Sequence, residues 1–85
     1  MKWLSRKEKL VLHGRSMYDE AIRLLRLNIN EHPESDFNWA NFDGIGQAHL
    51  ELRDTTRSIE NFRTSLQLNP DNTNAAKILE QLDDN

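Results

Sequence analysis

Apolar residues recur at spacings of three and four along most of the chain, and no stretch alternates with period two over a useful length. This pattern predicts helices and no sheet. It divides the chain into five helical segments. The first runs from about Trp3 to His13, carries Trp3, Leu4, Leu10, Val11 and Leu12, and ends at Gly14 as a left-handed residue. Ser16 then caps a second helix, with Asp19 three residues on as a weak capping box. Its apolar positions are Tyr18, Ala21, Ile22, Leu25 and Ile29, and it stops before Pro33 because the residue ahead of a proline is pushed out of the helical region. Ser35 or Asp36 is the expected cap of the third helix, and Asp54 that of the fourth, which buries Ile59, Phe62 and Leu66 and ends before Pro70. Asp71 to Thr73 offer caps for a fifth helix with Ala75, Ile78, Leu79 and Leu82.

The third segment, "NFDGIGQAHLELRD" (residues 41–54), sets a problem. Phe42, Ile45, His49 and Leu52 share a helical face, yet Gly44 and Gly46 stand between them. Glycine inside a helix costs about 1 kcal/mol relative to alanine. The two glycines therefore end the helix, cradle a phosphate, or admit a very close neighbour. A phosphate loop follows a strand and carries further glycines or a Gly-Lys-Ser/Thr ending. None is present, so close helix packing is the expectation, with Gly46 facing Ser58 across a hairpin and Gly44 relieving crowding near the preceding loop.

An internal repeat supports that expectation. Residues 18–35, "YDEAIRLLRLNINEHPES", align with residues 55–72, "TTRSIENFRTSLQLNPDN", at an offset of 37. Ile22 falls on Ile59, Leu25 on Phe62, Arg26 on Arg63, Ile29 on Leu66, Pro33 on Pro70 and Ala21 on Ser58. Self-similarity at this kind of period is the mark of stacked helical hairpins, each burying its face on the next.

On these residues the chain resembles the tetratricopeptide-repeat family, whose unit is about 34 residues of paired helices. Phe42 stands where the family prefers an aromatic, Ile45-Gly46 for its Leu-Gly, His49 for its Tyr, Ser58 for its second small residue, Phe62 for its aromatic and Pro70 for its closing proline. Asp54 matches the Asp of the family's Gly-Asp turn, with Arg53 in place of the glycine. The resemblance covers roughly residues 16–82. The spacing from Pro33 to Pro70 exceeds the family period by three, which places extra residues in "SDFNWAN", and the first helix of the first repeat matches weakly. The resemblance implies an all-α, right-handed solenoid within a single domain over residues 1–85. Its parts are a divergent basic helix (1–15), the second half of repeat 1 (16–35), repeat 2 (36–70) and a capping helix (71–85).

Composition narrows the function. Residues 1–15 carry Lys2, Arg6, Lys7, Lys9 and Arg15 against Glu8, net +4, whereas the remaining residues carry six Lys or Arg against thirteen Asp or Glu, net −7. A nucleic-acid binder spreads basic charge over its folded face, so nucleic acid is not an expected partner. The basic end has too little apolar content for firm membrane binding, and no apolar run approaches the roughly 20 residues of a membrane span. The absence of cysteine excludes disulfides and thiolate chemistry. The charged start does not read as a signal peptide, and a cytoplasmic location is expected.

No active site emerges. His13, His32 and His49 have no second ligand at metal spacing on a shared helix face, no serine lies in a nucleophile motif, and no cofactor is expected. His13 suits a helix end, His32 a turn, and His49 a packing position. Asp43, Gln47 and Glu51 lie four apart on the side of the third helix away from Ile45, His49 and Leu52. They form either a plain solvated face or, as the resemblance implies, part of a concave peptide groove with Ala40 and Leu50. Trp39 either covers the core or anchors a partner. The family's Lys, Arg and Asn clamp for C-terminal carboxylates has no counterpart here, and an acidic groove favours a basic or neutral peptide.

The expected role is thus a non-catalytic scaffold or adaptor that binds a protein segment. Two alternatives stand beside it: an accessory tail of a larger enzyme such as a bacterial hydrolase, and a homodimer in which a second copy covers the exposed end of the stack.

Overall fold

The computed structural model describes the backbone of residues 6–83 and the side chains of residues 14–82. The chain is all-helical: α1 (Arg6–Glu31), α2 (Asn38–Glu51), α3 (Thr55–Leu68) and α4 (Thr73–Asp83). No strand occurs among the described residues.

There are four helices in the described residues where the periodicity predicts five, and the difference lies at Gly14. The expected turn there is not formed. Gly14 has no positive φ, and α1 runs straight through it, leaving the expected cap Ser16 in mid-helix. The reason is local. A glycine stops a helix only when it turns left-handed and later residues satisfy the freed carbonyls. Here no proline lies between Met1 and Pro33, and Arg15, Met17 and Leu24 are good helix formers. One glycine's cost of about 1 kcal/mol is less than the cost of breaking the helix into two new ends, of which Ser16 could cap only one. Of the expected first helix, residues Trp3 to Ser5 lie outside the described residues, as do the side chains of Leu10, Val11 and Leu12.

α1 ends at Glu31, ahead of Pro33 as expected. The expected caps of α2 are not used. Phe37 occupies the N-cap with no side-chain bond, and the Ser35 hydroxyl accepts from the Phe37 amide (3.2 Å) one step earlier. Asn38 organises this turn instead. Its Nδ2 donates to the carbonyls of His32 (2.8 Å) and Pro33 (3.3 Å), and its Oδ1 accepts from Asn41 (3.1 Å). Asn28 donates in turn to Asn41 Oδ1 (3.2 Å), tying α1 to α2.

The α2–α3 turn follows the sequence closely. The Arg53 amide donates to the Leu50 carbonyl (3.0 Å) and the Asp54 amide to the His49 carbonyl (2.8 Å), the paired bonds of a Schellman ending. Arg53 sits at φ 63, the left-handed conformation that glycine adopts without a Cβ penalty. Asp54 is the N-cap of α3, as predicted: its carboxylate accepts from the Arg57 amide (3.2 Å) and pairs with the Arg57 guanidinium (3.0 Å). α4 is capped by Asn72, whose Oδ1 accepts from the Ala75 amide (3.2 Å).

Packing is sequential. α1 lies on α2, α2 on α3 and α3 on α4, and no other pair of helices shares more than a marginal contact. Short connections make neighbours antiparallel: Asn28 near the end of α1 meets Asn41 near the start of α2, and Ser65 near the end of α3 meets Trp39 near the start of α2. Two apolar clusters result. Ile22 of α1 packs with Ile45 and Ala48 of α2, flanked by Leu25, Ile29 and Leu52. Phe62 of α3 packs with Ala75 and Leu79 of α4, flanked by Ile59, Leu66 and Ile78.

α2 is the helix held from two sides, and its glycines serve one side each. A Cβ on Gly44 would stand 3.0 Å from Leu25 Cδ1 of α1. A Cβ on Gly46 would stand 3.0–3.1 Å from three atoms of the Phe62 ring of α3. The nearest neighbour of Gly46 is therefore this ring, a closer contact than the facing of Ser58 expected from the sequence. Gly44 serves the α1 contact. Phe62 is fully buried, which stabilises by roughly 1.5–3 kcal/mol, more than the about 1 kcal/mol that glycine costs the helix.

The three glycines should respond differently to alanine. Gly14→Ala meets nothing within 4 Å and should stabilise by about 0.5–1 kcal/mol. Gly44→Ala meets only the flexible end of Leu25 and should be close to neutral. Gly46→Ala presses on an immobile ring and should destabilise by about 1–3 kcal/mol. Urea titrations of the three variants check this order. Arg53→Gly should stabilise by about 1 kcal/mol by removing the left-handed strain, read as a higher Tm.

Candidate functional site

The face of α2 that points away from α1 and Phe62 is the candidate binding surface, and its residues separate into open and engaged positions. Ala40, Gln47 and Glu51 are exposed. Trp39, Asp43 and Leu50 are half-buried. Asp43 is no free groove acid: its Oδ2 accepts from Asn72 Nδ2 at 2.8 Å. The same Nδ2 donates to Ser65 Oγ (2.9 Å), and Ser65 Oγ donates to the Trp39 carbonyl (2.7 Å).

This polar chain crosses three helices. Ser65 is fully buried and Asn72 nearly so. With its Oδ1 capping α4, Asn72 uses both ends of its amide, and its Nδ2 reaches Asp43 of α2 and Ser65 of α3. Buried polar groups without partners are costly, so the network holds the start of α4 in one position beside α2. It thereby fixes the boundary of the face that Ala40, Gln47 and Glu51 leave open. Sequence periodicity does not reveal it, because the partners are 29 and 26 residues apart. The one available signal is the Asn-Pro-Asp-Asn run, which announces a turn and a cap but not the second bond.

The positions assigned to packing are distributed as follows. Ile45, Ser58 and Phe62 are fully buried, and Gly46 and His49 are buried. Leu25 and Phe42 are half-buried. Ala21 is half-buried beside an open groove, and Pro33 and Pro70 are exposed in turns. Ala48 joins the α1–α2 cluster; it is a core position absent from the sequence expectation, although its spacing from Ile45 and Leu52 marks it.

His49 is the unusual core residue. Its ring is buried, neither nitrogen has a hydrogen-bond partner, and the nearest carboxylate oxygen, Asp54 Oδ2, stands 3.9 Å from Nδ1. Desolvation holds its pKa below the ordinary 6.5, against the opposing pull of Asp54. Burial thus favours the neutral imidazole over the charged form, with the Asp54 carboxylate beyond hydrogen-bond distance. The Ser58 hydroxyl is likewise buried without a partner. Among the described residues no group of three or more His, Asp or Glu is placed to hold a metal ion. No described helix is long and apolar enough to cross a membrane. His32 lies exposed in the first turn, and the side chain of His13 lies outside the described residues.

No protein-family model, no curated protein and no solved structure matches this chain.

Two of these features are open to direct measurement. Asn72→Ala removes a cap and leaves the buried Ser65 hydroxyl and the half-buried Asp43 carboxylate each short of a partner; it should destabilise by about 2–3 kcal/mol, with loss of α4 protection in hydrogen exchange. For His49, the folded pKa is depressed, so the unfolded chain takes up the proton first as pH falls. The His49 contribution to stability should be full above the ordinary 6.5, fall as pH drops below it, and level off once the folded protein also takes up the proton. His49→Phe should flatten that decline between about pH 7 and 5 in thermal melts.

Proposed function

We propose that this chain is a non-catalytic protein-interaction module of the tetratricopeptide type, which binds an extended segment of a partner protein along the open face of α2 beside α4. The observation that carries this reading is the agreement between the repeat and the packing. At the offset of 37, residues 18–31 of α1 correspond to Thr55–Leu68, which is the whole of α3, so the two helices end at equivalent positions. Each helix then packs chiefly on its chain neighbours, the organisation expected of a stacked helical repeat. Arg53 and Asp54, at the positions of the family's Gly-Asp turn, adopt the left-handed and capping roles such a turn requires.

The chemistry of the face supports the choice of partner. Ala40 is small and leaves room for a backbone, Gln47 offers amide donors and an acceptor, and Glu51 supplies negative charge. A neutral or basic peptide segment fits this set. Nucleic acid fits it poorly, since the body of the chain beyond residue 15 is acidic.

A peptide-display selection on the immobilised chain tests the proposal. Enriched sequences should be neutral or basic and should bind with micromolar affinity. Gln47→Lys with Glu51→Lys should weaken that binding at least tenfold, with the helical content and Tm unchanged because both residues are exposed. Asp43 is left intact in this test, since its bond to Asn72 would confuse folding with binding. Undiminished binding by the double variant would exclude this face as the binding surface.

A further inference from the structure

α1 carries a second apolar stripe that the core does not use. Its packed residues are Ile22, Leu25 and Ile29. N-terminal to Ile22 the helix continues back to Arg6, roughly 24 Å of further length at the standard rise. Along another side of this helix lie Gly14, Met17, Ala21 and Leu24, spaced three, four and three residues apart. That is the alternation of a helix-pairing seam, and the sequence continues it back to Leu10. Met17 is 61% and Leu24 51% exposed. Nothing lies within 4 Å of a Cβ on Gly14. Met17, Ala21 and Leu24, with Ser16 and Glu20, line a shallow open groove of about 440 Å³.

The stripe is complementary to itself. When two α1 helices are laid antiparallel with Met17 opposite Ala21, the two-fold axis also sets Leu24 opposite Gly14. Each layer then joins one large residue to one small one, which is the condition for a closed isologous pair. Charge selects the same arrangement. Residues 6–15 carry Arg6, Lys7, Lys9 and Arg15 against Glu8, net +3, and residues 31–36 carry Glu31, Glu34 and Asp36 with no Lys or Arg, net −3. Antiparallel pairing brings the basic end of each helix to the acidic turn of the other copy, with Lys7 at the level of Glu31. Parallel pairing would set basic on basic.

We propose that two copies of this chain form an antiparallel dimer along the Gly14–Leu24 seam of α1, each Met17 seated on the other copy's Ala21. The seam is on a different helix from the α2 face, so dimerisation and peptide binding stand or fall separately. A single helix pair of this length buries less than the about 1,600 Å² of a standard interface, so the dimer is expected at micromolar concentrations and to weaken with salt.

Sedimentation equilibrium of the full chain through the micromolar range tests this. The weight-average mass should rise from the 10.0 kDa monomer towards twice that value. Met17→Glu, at an exposed position, should hold the protein at the monomer mass with unchanged helical content. Lys7→Glu and Glu31→Lys should each raise the dissociation constant several-fold, and their combination should restore it. A wild-type chain that stays monomeric would overturn the proposal and leave the seam to a different chain. So would a dimer indifferent to Met17→Glu, or one whose charge swap fails to restore affinity.

Discussion

The close approach of α2 and α3 at Gly46 and Phe62 is the contact on which the rest of the structure depends. A side chain at position 46 would stand inside the normal contact distance of the ring. Only glycine lets the ring lie against the α2 backbone, and the same ring anchors Ala75 and Leu79 of α4. On the other side of α2, Gly44 admits Leu25 of α1. Two glycines separated by one residue thus face two different neighbours, about 200° apart around the helix. The local cost to helix stability is offset because α2 becomes narrow enough to be held from both sides.

This arrangement accounts for the dependence of each helix on the next. α1 packs on α2, and α4 packs on α3 with a polar tie to α2 through Asn72. A chain built this way has no single central core. Its stability is a series of neighbour contacts, and α1, lying at one end, leaves a side uncovered. The buried polar chain from Trp39 through Ser65 and Asn72 to Asp43 counters the weakness at the other end by fixing where α4 begins. His49 and Ser58 mark the opposite choice, buried polar groups without partners inside the α2–α3 contact. These unpartnered groups cost stability.

Much of this is legible in the sequence where the cause is local. Asp54 is a cap because its carboxylate reaches an amide three residues on, and spacing alone reveals that. α1 ends before Pro33 and α3 before Pro70 for an equally local reason. The core positions Ile22, Ile45 and Phe62 follow from periodicity. The features that escape a sequence reading depend on non-local facts. Gly14 has the composition of a helix stop, but whether it turns left-handed depends on the residues after it, and here none of them rewards the turn. That the Phe62 ring comes nearest to Gly46 is set by the crossing of two helices and not by either sequence. Asn72 looks like an ordinary turn residue, yet its amide reaches across the fold to Asp43 of α2, and Asn38 organises the α1–α2 turn through its side chain where Ser35 and Asp36 are the expected caps. Of the candidate binding face, the exposed members Ala40, Gln47 and Glu51 can be placed from helical spacing, whereas the bond of Asp43 to Asn72 cannot.

If the α2–α3 contact is the most stable unit of the fold, order passes outward from it to the other helices. Amide hydrogen exchange by NMR measures this residue by residue. The slowest amides should be those of Ile45 to His49 and of Phe62 to Ser65, with faster exchange in α4 and the fastest towards the N-terminal end of α1. Protection in α1 or α4 equal to or greater than that around Gly46 and Phe62 would contradict this and place the centre of the fold elsewhere.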